Sequence, residues 1–469
     1  MNRSRIQIGT LCLFAATSTA AAQETEAIVL RGDTMDVWPI ENLAARGFQI
    51  QELPREQNAA WVYIEAINAY ADLPNELRDA FDYTLKYRWP DGVPALEQYL
   101  AEPGNRKALE LTRKAAAMKQ CQMPYFGDPS QSVVAVLLPN LSHMRFLSKL
   151  LVVEGKRLEA MGRYQQAAEL YGVVMDMGHH VAQGCTLIES LVGVAVRSLA
   201  DRATLNMVLR HPLSKGDLKA LLKLLDERAL RLPTVEKGLI GESNFGPSMI
   251  DELCSRPLRV FTNLNGMFGD SPGWDMTDYQ VNPVPQDGWG RLEKRVGQLI
   301  YPDRAIKRHM SGYYDIMLRS QSLPAGQAAR NDFTEEQYIN QAIPRWDVLS
   351  RAILPSLSRA IALGNRLKAD AALARTATAI RLSSLLRKGE PPGSLDEIES
   401  ILPVSAMIDP FSGERLLYRV EEPGWVLYSV GLNLSDDGGE EGERWEDLDM
   451  VVRFPPEPVE PFDSDQEDE

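Results

Sequence analysis

Gly155-Lys156-Arg157-Leu158-Glu159-Ala160-Met161-Gly162-Arg163-Tyr164-Gln165-Gln166-Ala167-Ala168-Glu169-Leu170-Tyr171 reads as two helices folded closely against each other. Gly155 and Ala167 sit where two helical backbones approach, Gly162 sits where the chain turns, and Tyr164 and Tyr171 are placed to fill the gap. The reason is steric, since a residue without a side chain tolerates both close approach and positive φ. Outward from this hairpin, Leu141 to Met161 and Tyr164 to Met177 carry apolar residues every three or four positions, the repeat of a helix with one buried face. The spacing recurs in Asn58 to Tyr70, Asn75 to Tyr87, Asn105 to Lys119, Thr186 to Leu209, Lys215 to Leu230 and Val235 to Leu253. Links such as Asp72-Leu73-Pro74, Pro90-Asp91-Gly92 and His211-Pro212-Leu213-Ser214 are short, which implies antiparallel neighbours stacked in a layer. The expected fold is mainly α, with residues 56–254 as a stacked helical domain.

The hairpin resembles one tetratricopeptide repeat. Shifting by the length of such a repeat places Glu189, Val196 and Asp201 where small residues belong, so the pattern does not recur. One match specifies a helical hairpin and leaves open whether it is a repeat unit or any αα-hairpin. Stacked hairpins form concave surfaces, so a protein or peptide partner is the expectation.

Towards the N-terminus the pattern changes. Arg3 and Arg5 precede an uncharged, mostly apolar stretch from Ile6 to Ala16, and Ala20-Ala21-Ala22 supplies a small-residue cleavage site before Gln23. This is the form of a bacterial secretory signal peptide, residues 1–22, and implies a periplasmic or extracellular protein with an N-terminal extension over 23–55. Gly9-Thr10-Leu11 before Cys12 is a poor lipobox, which argues against a lipid anchor. No uncharged apolar run is long enough to span a bilayer. Past the signal remain Cys121, Cys185 and Cys254, too few and too widely spaced for a disulfide framework or a zinc motif. They are buried thiols or include one incidental bridge.

The net charge of −15 and the pI near 5.0 exclude nucleic acid as the main partner, because phosphate binding needs a concentrated basic face. Much of the acidity lies at one end: from Asp436 to Glu469, fifteen acidic residues stand against only Arg444 and Arg453. Residues 455–469 mix prolines with like charges, the composition of a disordered acidic tail.

After Cys254 the helical period is lost. Residues 255–290 are dense in Gly, Pro, Asn and Asp, with Phe261, Phe268, Trp274, Tyr279 and Trp289 among carboxylates. Such an irregular insertion is either pinned to the helical layer by its aromatics or forms a sugar or peptide groove. Further helices follow in 291–345, at Leu292 to Leu299 and Asp303 to Leu318, ending at Ser322-Leu323-Pro324. A longer helix runs from about Trp346 to Arg387, with a kink or break at Pro355. Its stripe of Leu363, Leu367, Ala371, Ala374, Thr378, Leu382 and Leu385 is small in the middle, which suits packing on a sheet.

Beyond Lys388-Gly389, Ser394-Leu395-Asp396-Glu397 reads as a capping box opening a short helix. Asp409-Pro410-Phe411 comes next, then a β-hairpin of Arg415 to Val420 and Trp425 to Val430 turning at Glu422-Pro423-Gly424. Ser429-Val430-Gly431, a loop with Gly438-Gly439, Asp447-Leu448-Asp449 and a last strand, Leu448 to Phe454, complete the order. A long helix followed by these motifs resembles the periplasmic domain of type II secretion major pseudopilins, over about Leu357 to Phe454. The resemblance implies a small α+β domain for 346–454. Here, however, the helix is internal and interrupted by Asp370 and Arg381, so a pilus subunit is not expected. That family binds calcium in its glycine-rich loop, which by position implies Asn433, Asp447 and Asp449 as ligands of a structural calcium. Asn433 stands for an aspartate and Leu434 for a glycine of the family, and Asp436 and Asp437 lie close enough to compensate. A solvated acidic loop is the other reading. The helical part resembles exported bacterial helical proteins and implies no activity.

No phosphate-binding loop or dinucleotide fingerprint is present, and Gly241-Glu242-Ser243-Asn244-Phe245-Gly246 misses a hydrolase elbow by one residue. Asp176, His179 and His180 share one helix end and offer possible metal donors or simple cationic caps. The expected function is a non-catalytic interaction or scaffold protein of the bacterial cell envelope. The alternative is a carbohydrate- or peptide-active enzyme using the insertion at 255–290.

Overall fold

Polar caps and proline breaks cut the first half of the chain into helices whose apolar faces need one another. The computed structural model describes residues 27–44, 52–127, 138–244, 303–331, 335–345 and 357–462, together with positions 48, 50, 347, 350, 351 and 354. Residues 1–22, expected to be a signal peptide, Cys254, the insertion expected at 255–290, the helix expected at Leu292 to Leu299 and residues 463–469 lie outside the described residues.

Strands β1 (Ala27–Leu30) and β2 (Asp33–Asp36) pair antiparallel across Arg31-Gly32, both at positive φ. This hairpin falls within what the sequence marks only as an extension. It docks through Arg31, whose guanidinium lies 4.3 Å from the centre of the Tyr70 ring and pairs with Asp72. Helix α1 (Ile40–Ala44) follows, then α2 (Ala59–Ala69), α3 (Arg78–Lys86), α4 (Pro94–Ala101) and α5 (Pro103–Ala116). The layer continues with α6 (Asn140–Ala160), α7 (Tyr164–Val181), α8 (Leu187–Arg210) and α9 (Lys215–Ala229). Thr186 and Ser214 close capping boxes with Glu189 and Asp217, which fixes where α8 and α9 begin. Residues 236–244 are helical as well.

The α6–α7 hairpin has the expected geometry. Gly162 turns with φ +71°, and a methyl group at Gly155 would overlap the Tyr171 ring. At the next crossing Gly178 of α7 and Gly193 of α8 face each other, and a Cβ on either would come within 3 Å of the other's carbonyl oxygen. The positions that spoil a second repeat serve this interface differently. Glu189 caps α8, while Asp201 forms a fully buried pair with Arg197 at 2.9 Å.

Helices α10 (Asp303–Gln321), α11 (Ala325–Arg330) and α12 (Glu335–Ala342) lead to the long α13 (Leu357–Leu386). Helix α13 packs chiefly on α8 and α9, and less on the sheet. The stripe read as facing a sheet is therefore divided: Leu382 joins the helical core, and Leu367 packs with Tyr313 and Met317 of α10. Another face, with Ala369, Leu373, Ala377 and Ile380, meets the sheet. A helix buried on several sides has more than one apolar stripe.

The sheet has the order β3 (Leu417–Glu421), β4 (Gly424–Ser429), β5 (Met450–Phe454), antiparallel throughout. The fold is thus mainly α with a small α+β part at its C-terminal end. Two local expectations need correction. Ser394 makes no side-chain cap, and only a 3-10 turn, Leu395–Ile398, forms there: the Glu397 N–H donates to the Ser394 carbonyl at 3.3 Å, and the Glu397 carboxylate pairs with Arg387. Residues 455–462, expected to begin a disordered tail, instead cross the helical layer. The Arg210 guanidinium donates to the Glu457 carbonyl at 2.8 Å, and Tyr83 Oη donates to the Glu460 carbonyl at 2.7 Å.

Candidate peptide groove and acidic loop

Helix α3 turns Phe81 and Ala80 into the core, which leaves Tyr83 and Tyr87 half-buried on its rim with rings 5.3 Å apart. Pro90-Asp91-Gly92 breaks the chain, and Pro94 starts α4 beside that rim. The result is a groove of about 940 Å³ lined by Leu77, Tyr83, Tyr87, Val93 and Pro94 on one side and by residues 457–462 on the other. Arg210 and Glu457 stand at its end and also line a second cleft of about 550 Å³, which continues between α8 and the edge strand β5.

The segment Pro455-Pro456-Glu457-Pro458-Val459-Glu460-Pro461-Phe462 has a period of three. Pro456, Val459 and Phe462 are half-buried, whereas Glu457, Pro458, Glu460 and Pro461 are exposed. The two carbonyls that accept side-chain hydrogen bonds, at Glu457 and Glu460, are also three apart. A polyproline II chain has three residues per turn and no internal hydrogen bonds, so one face and one row of carbonyls repeat in this way. Phe462 packs on the Tyr83 ring with centroids 5.2 Å apart, against the edge of the helical core. Arg88 Nε lies 3.4 Å from Tyr83 Oη, which gathers Arg88 and Arg210 on the side of the acidic segment.

The acidic loop is built from the D-P-F motif upward. The buried Asp409 carboxylate accepts from the Phe411 and Val430 backbone N–H groups, at 2.9 and 3.2 Å, and from the Ser412 and Ser429 hydroxyls, at 3.1 and 2.8 Å. One side chain thereby joins the first two motifs on which the resemblance rests. Beyond them Asn433 Nδ2 donates both to Asp437 Oδ2, at 2.7 Å, and to the Asp447 carbonyl, at 3.1 Å. Asn433 Oδ1 accepts from Ser435 N, and the Asp447 carboxylate turns to Arg444 at 3.2 Å. Asp449 is 2% exposed: its Oδ2 accepts from Gly439 N at 2.7 Å, and its Oδ1 has no hydrogen-bond partner. Burial, with the charges of Asp437 and Asp436 behind it, raises the Asp449 pKa. Arg419 and Arg453 donate to the carbonyls of Gly438 and Gly439, so guanidinium groups hold the loop from outside. Among the described residues, no three His, Cys, Asp or Glu side chains converge as a metal requires. The three residues implied as ligands lie in one loop, with the oxygens of Asn433 and Asp447 already engaged.

The histidines are occupied in packing. His180 Nε2 lies 3.0 Å from the Met118 carbonyl, so this nitrogen carries the proton and Nδ1 accepts from Tyr63 Oη at 3.0 Å. Burial lowers its pKa to about 4. Asp176 pairs with Arg228 at 3.1 Å, so Asp176, His179 and His180 do not act as a donor set. His211 joins Lys156 and Tyr171 on the buried Glu159 carboxylate. Burial pushes that carboxyl up, but Lys156 and the two hydrogen bonds outweigh it and hold it below the usual range. Cys121 and Cys185 are free, buried thiols, and burial pushes Cys185 up to about 12. The residues on which the enzyme alternative rests, 255–290, lie outside the described residues.

The groove has no local signal in the sequence, because Tyr83 and Arg88, at the end of α3 and just past it, meet Arg210 of α8, far away in the chain. The three-residue period of 456, 459 and 462 could have marked the strap. No helix among the described residues is long and apolar enough to cross a membrane. Comparison with known proteins returns no matching family model, no matching characterised protein and no matching solved structure.

Proposed function

We propose that this chain is an exported, non-catalytic helical interaction protein of the bacterial cell envelope, and that its working surface is the groove along α3 and α4. One observation carries the reading: an extended segment lies on that groove, held through its backbone carbonyls by Tyr83 and Arg210, as a bound peptide is held. Backbone recognition with shallow apolar contacts serves binding. The charge pattern at the N-terminus supports export. Two measurements test the reading. Fractionation with N-terminal sequencing should find a mature chain beginning near Gln23, and a cytosolic full-length product would remove the export claim. A photo-crosslinking residue at Tyr87 or Val93 should trap the same protein neighbour in the cell envelope from both positions. The same residue at Leu230, which is 89% exposed on another surface, should not trap it. Equal yields at all three positions would refute the assignment.

A second reading concerns the acidic loop, where calcium would act as a structural cross-link. Its support is the buried, unpartnered Asp449 Oδ1 beside Asp436 and Asp437. Asn433 and Asp447 would complete the donors by releasing Ser435 N and Arg444. Oxygen donors on glycine-rich backbone suit a hard cation of this size.

A further inference from the structure

We infer that the groove takes an acidic, proline-spaced peptide in polyproline II form from a second polypeptide, and that residues 455–462 are a built-in competitor for the same place. The inference rests on the reading of this groove as the working surface. It adds the chemistry of the partner and the way access is controlled.

Four features define the ligand. The occupant in place is extended, half-buries every third residue and offers the Glu457 and Glu460 carbonyls, three apart, to Arg210 and Tyr83. Prolines at 455, 456, 458 and 461 favour that backbone before binding, which lowers the ordering cost. Tyr83 and Tyr87 form an aromatic wall, the surface against which proline-rich segments dock. Arg88 and Arg210 stand on the side where Glu457 approaches, so acidic residues between the prolines are favoured. The lining also includes Glu76 and Asp79, which disfavours a peptide acidic along its whole length.

Two further features point to exchange with an outside ligand. The strap leaves about 940 Å³ open between itself and the helices, so it spans the groove without filling it. It is also tethered: Phe454, immediately before it, ends β5. A tethered, partly fitted occupant competes at high effective concentration, and an outside ligand must bind the fraction of molecules in which the strap is open.

The test uses the full chain and a fluorescent peptide of sequence PPEPVEPF, that of residues 455–462. Wild-type protein should bind it weakly. The variant Pro456→Gly/Val459→Asp/Phe462→Ala, which unfastens the strap, should bind about tenfold more tightly or better, as removal of a competitor requires. Phe462→Ala alone is the milder variant and should fall between the two. Adding Tyr83→Phe and Arg210→Ala to the unfastened chain should abolish the gain, as should a peptide with every proline replaced by alanine. Equal affinity for wild-type and unfastened chains overturns the competition. Binding that survives loss of Tyr83 and Arg210, or of the peptide's prolines, overturns the recognition. A dimer of the wild-type chain formed by exchange of straps would make the occupant a second copy and would also overturn the proposal. If the unfastened chain binds as expected but no envelope neighbour is trapped at Tyr87, the peptide site stands and the wider interaction role falls.

Discussion

Asp370, in the middle of α13, lies 3.9 Å from Arg202 of α8 and feels the charge of Arg366. Burial outweighs both cations and, with Asp201 adding to it, pushes the carboxyl up from 3.8 to about 6. Between those values the folded chain keeps a proton that the unfolded chain has lost, so stability is greatest below the window and falls as pH rises through it. Two pKa units correspond to about 3 kcal/mol at most. Asp370→Asn should therefore match wild type near pH 4 and exceed its melting temperature near pH 8. An equal loss at both pH values would mean that the lost ion pairs outweigh the relieved burial. Asn433 poses a different question, because its amide donates to Asp437 and to the Asp447 carbonyl, where a cation would otherwise draw oxygens together. If calcium binds as proposed, it should raise the melting temperature over chelator by the mass-action amount, about 2.7 kcal/mol at a hundredfold excess over Kd. Magnesium should do so poorly. Asn433→Asp trades a donor for an acceptor, so it should lower stability in chelator and enlarge the calcium gain, and Asp449→Ala should abolish the gain. Identical melting of wild type and Asn433→Asp in calcium and chelator would leave the loop held by its guanidinium groups alone.

The α6–α7 hairpin shows at the scale of elements what close approach costs. Gly155→Ala places a methyl group in the Tyr171 ring, and that ring is fixed by its hydroxyl's bond to Glu159. Overpacking of this kind should destabilise by about 1–3 kcal/mol. Gly216, near the start of α9, has only the Ser214 hydroxyl within 4 Å of its added methyl, so Gly216→Ala should be neutral or slightly stabilising. Denaturant midpoints compare the two, and equal effects would show that Gly155 is not a contact glycine. The hairpin was legible because its signal is local: small residues, a turn glycine and apolar spacing lie within one short stretch. Helix α4 was not, since it turns only Leu96, Tyr99 and Leu100 inward, too few for a periodic signal. The β1–β2 hairpin was hidden by Arg31, a non-glycine residue at φ +56°. At Ser394 the capping pattern is present, but the Glu397 N–H closes a 3-10 bond to the Ser394 carbonyl and its carboxylate pairs with Arg387, ten residues earlier. The strap is illegible for a similar reason: charge and proline content are local properties, whereas Tyr83 and Arg210 come from distant helices. The acidic loop's residues were legible as a group, but their hydrogen-bond partners depend on the loop's three-dimensional path.

At the scale of the whole molecule, α13 decides how many units melt. Leu382 belongs to the core of the helical layer, Ile380 and Leu373 to the core under the sheet, and Leu367 to the cluster with α10. Leu222 of α9 also enters the core under the sheet, and Arg375 of α13 donates to Asp226 of α9 from two nitrogens, at 2.9 and 2.6 Å. The strap adds a third tie, from β5 back to α3. Removing the sheet would expose Leu222 and Leu373, while removing the helical layer would strip two helices from α13. Each part would thereby expose apolar side chains that only the other covers, which weakens it against its chain entropy. The described helices and sheet should therefore unfold as one cooperative unit, despite the change of architecture at α13. Calorimetry should show a single main transition whose van't Hoff enthalpy equals the calorimetric one. An isolated fragment of residues 357–454 should give no cooperative melt. A fragment that melts sharply by itself, or two separated transitions in the full chain, would mean that α13 belongs to the sheet alone and that its contacts with α8 and α9 contribute little.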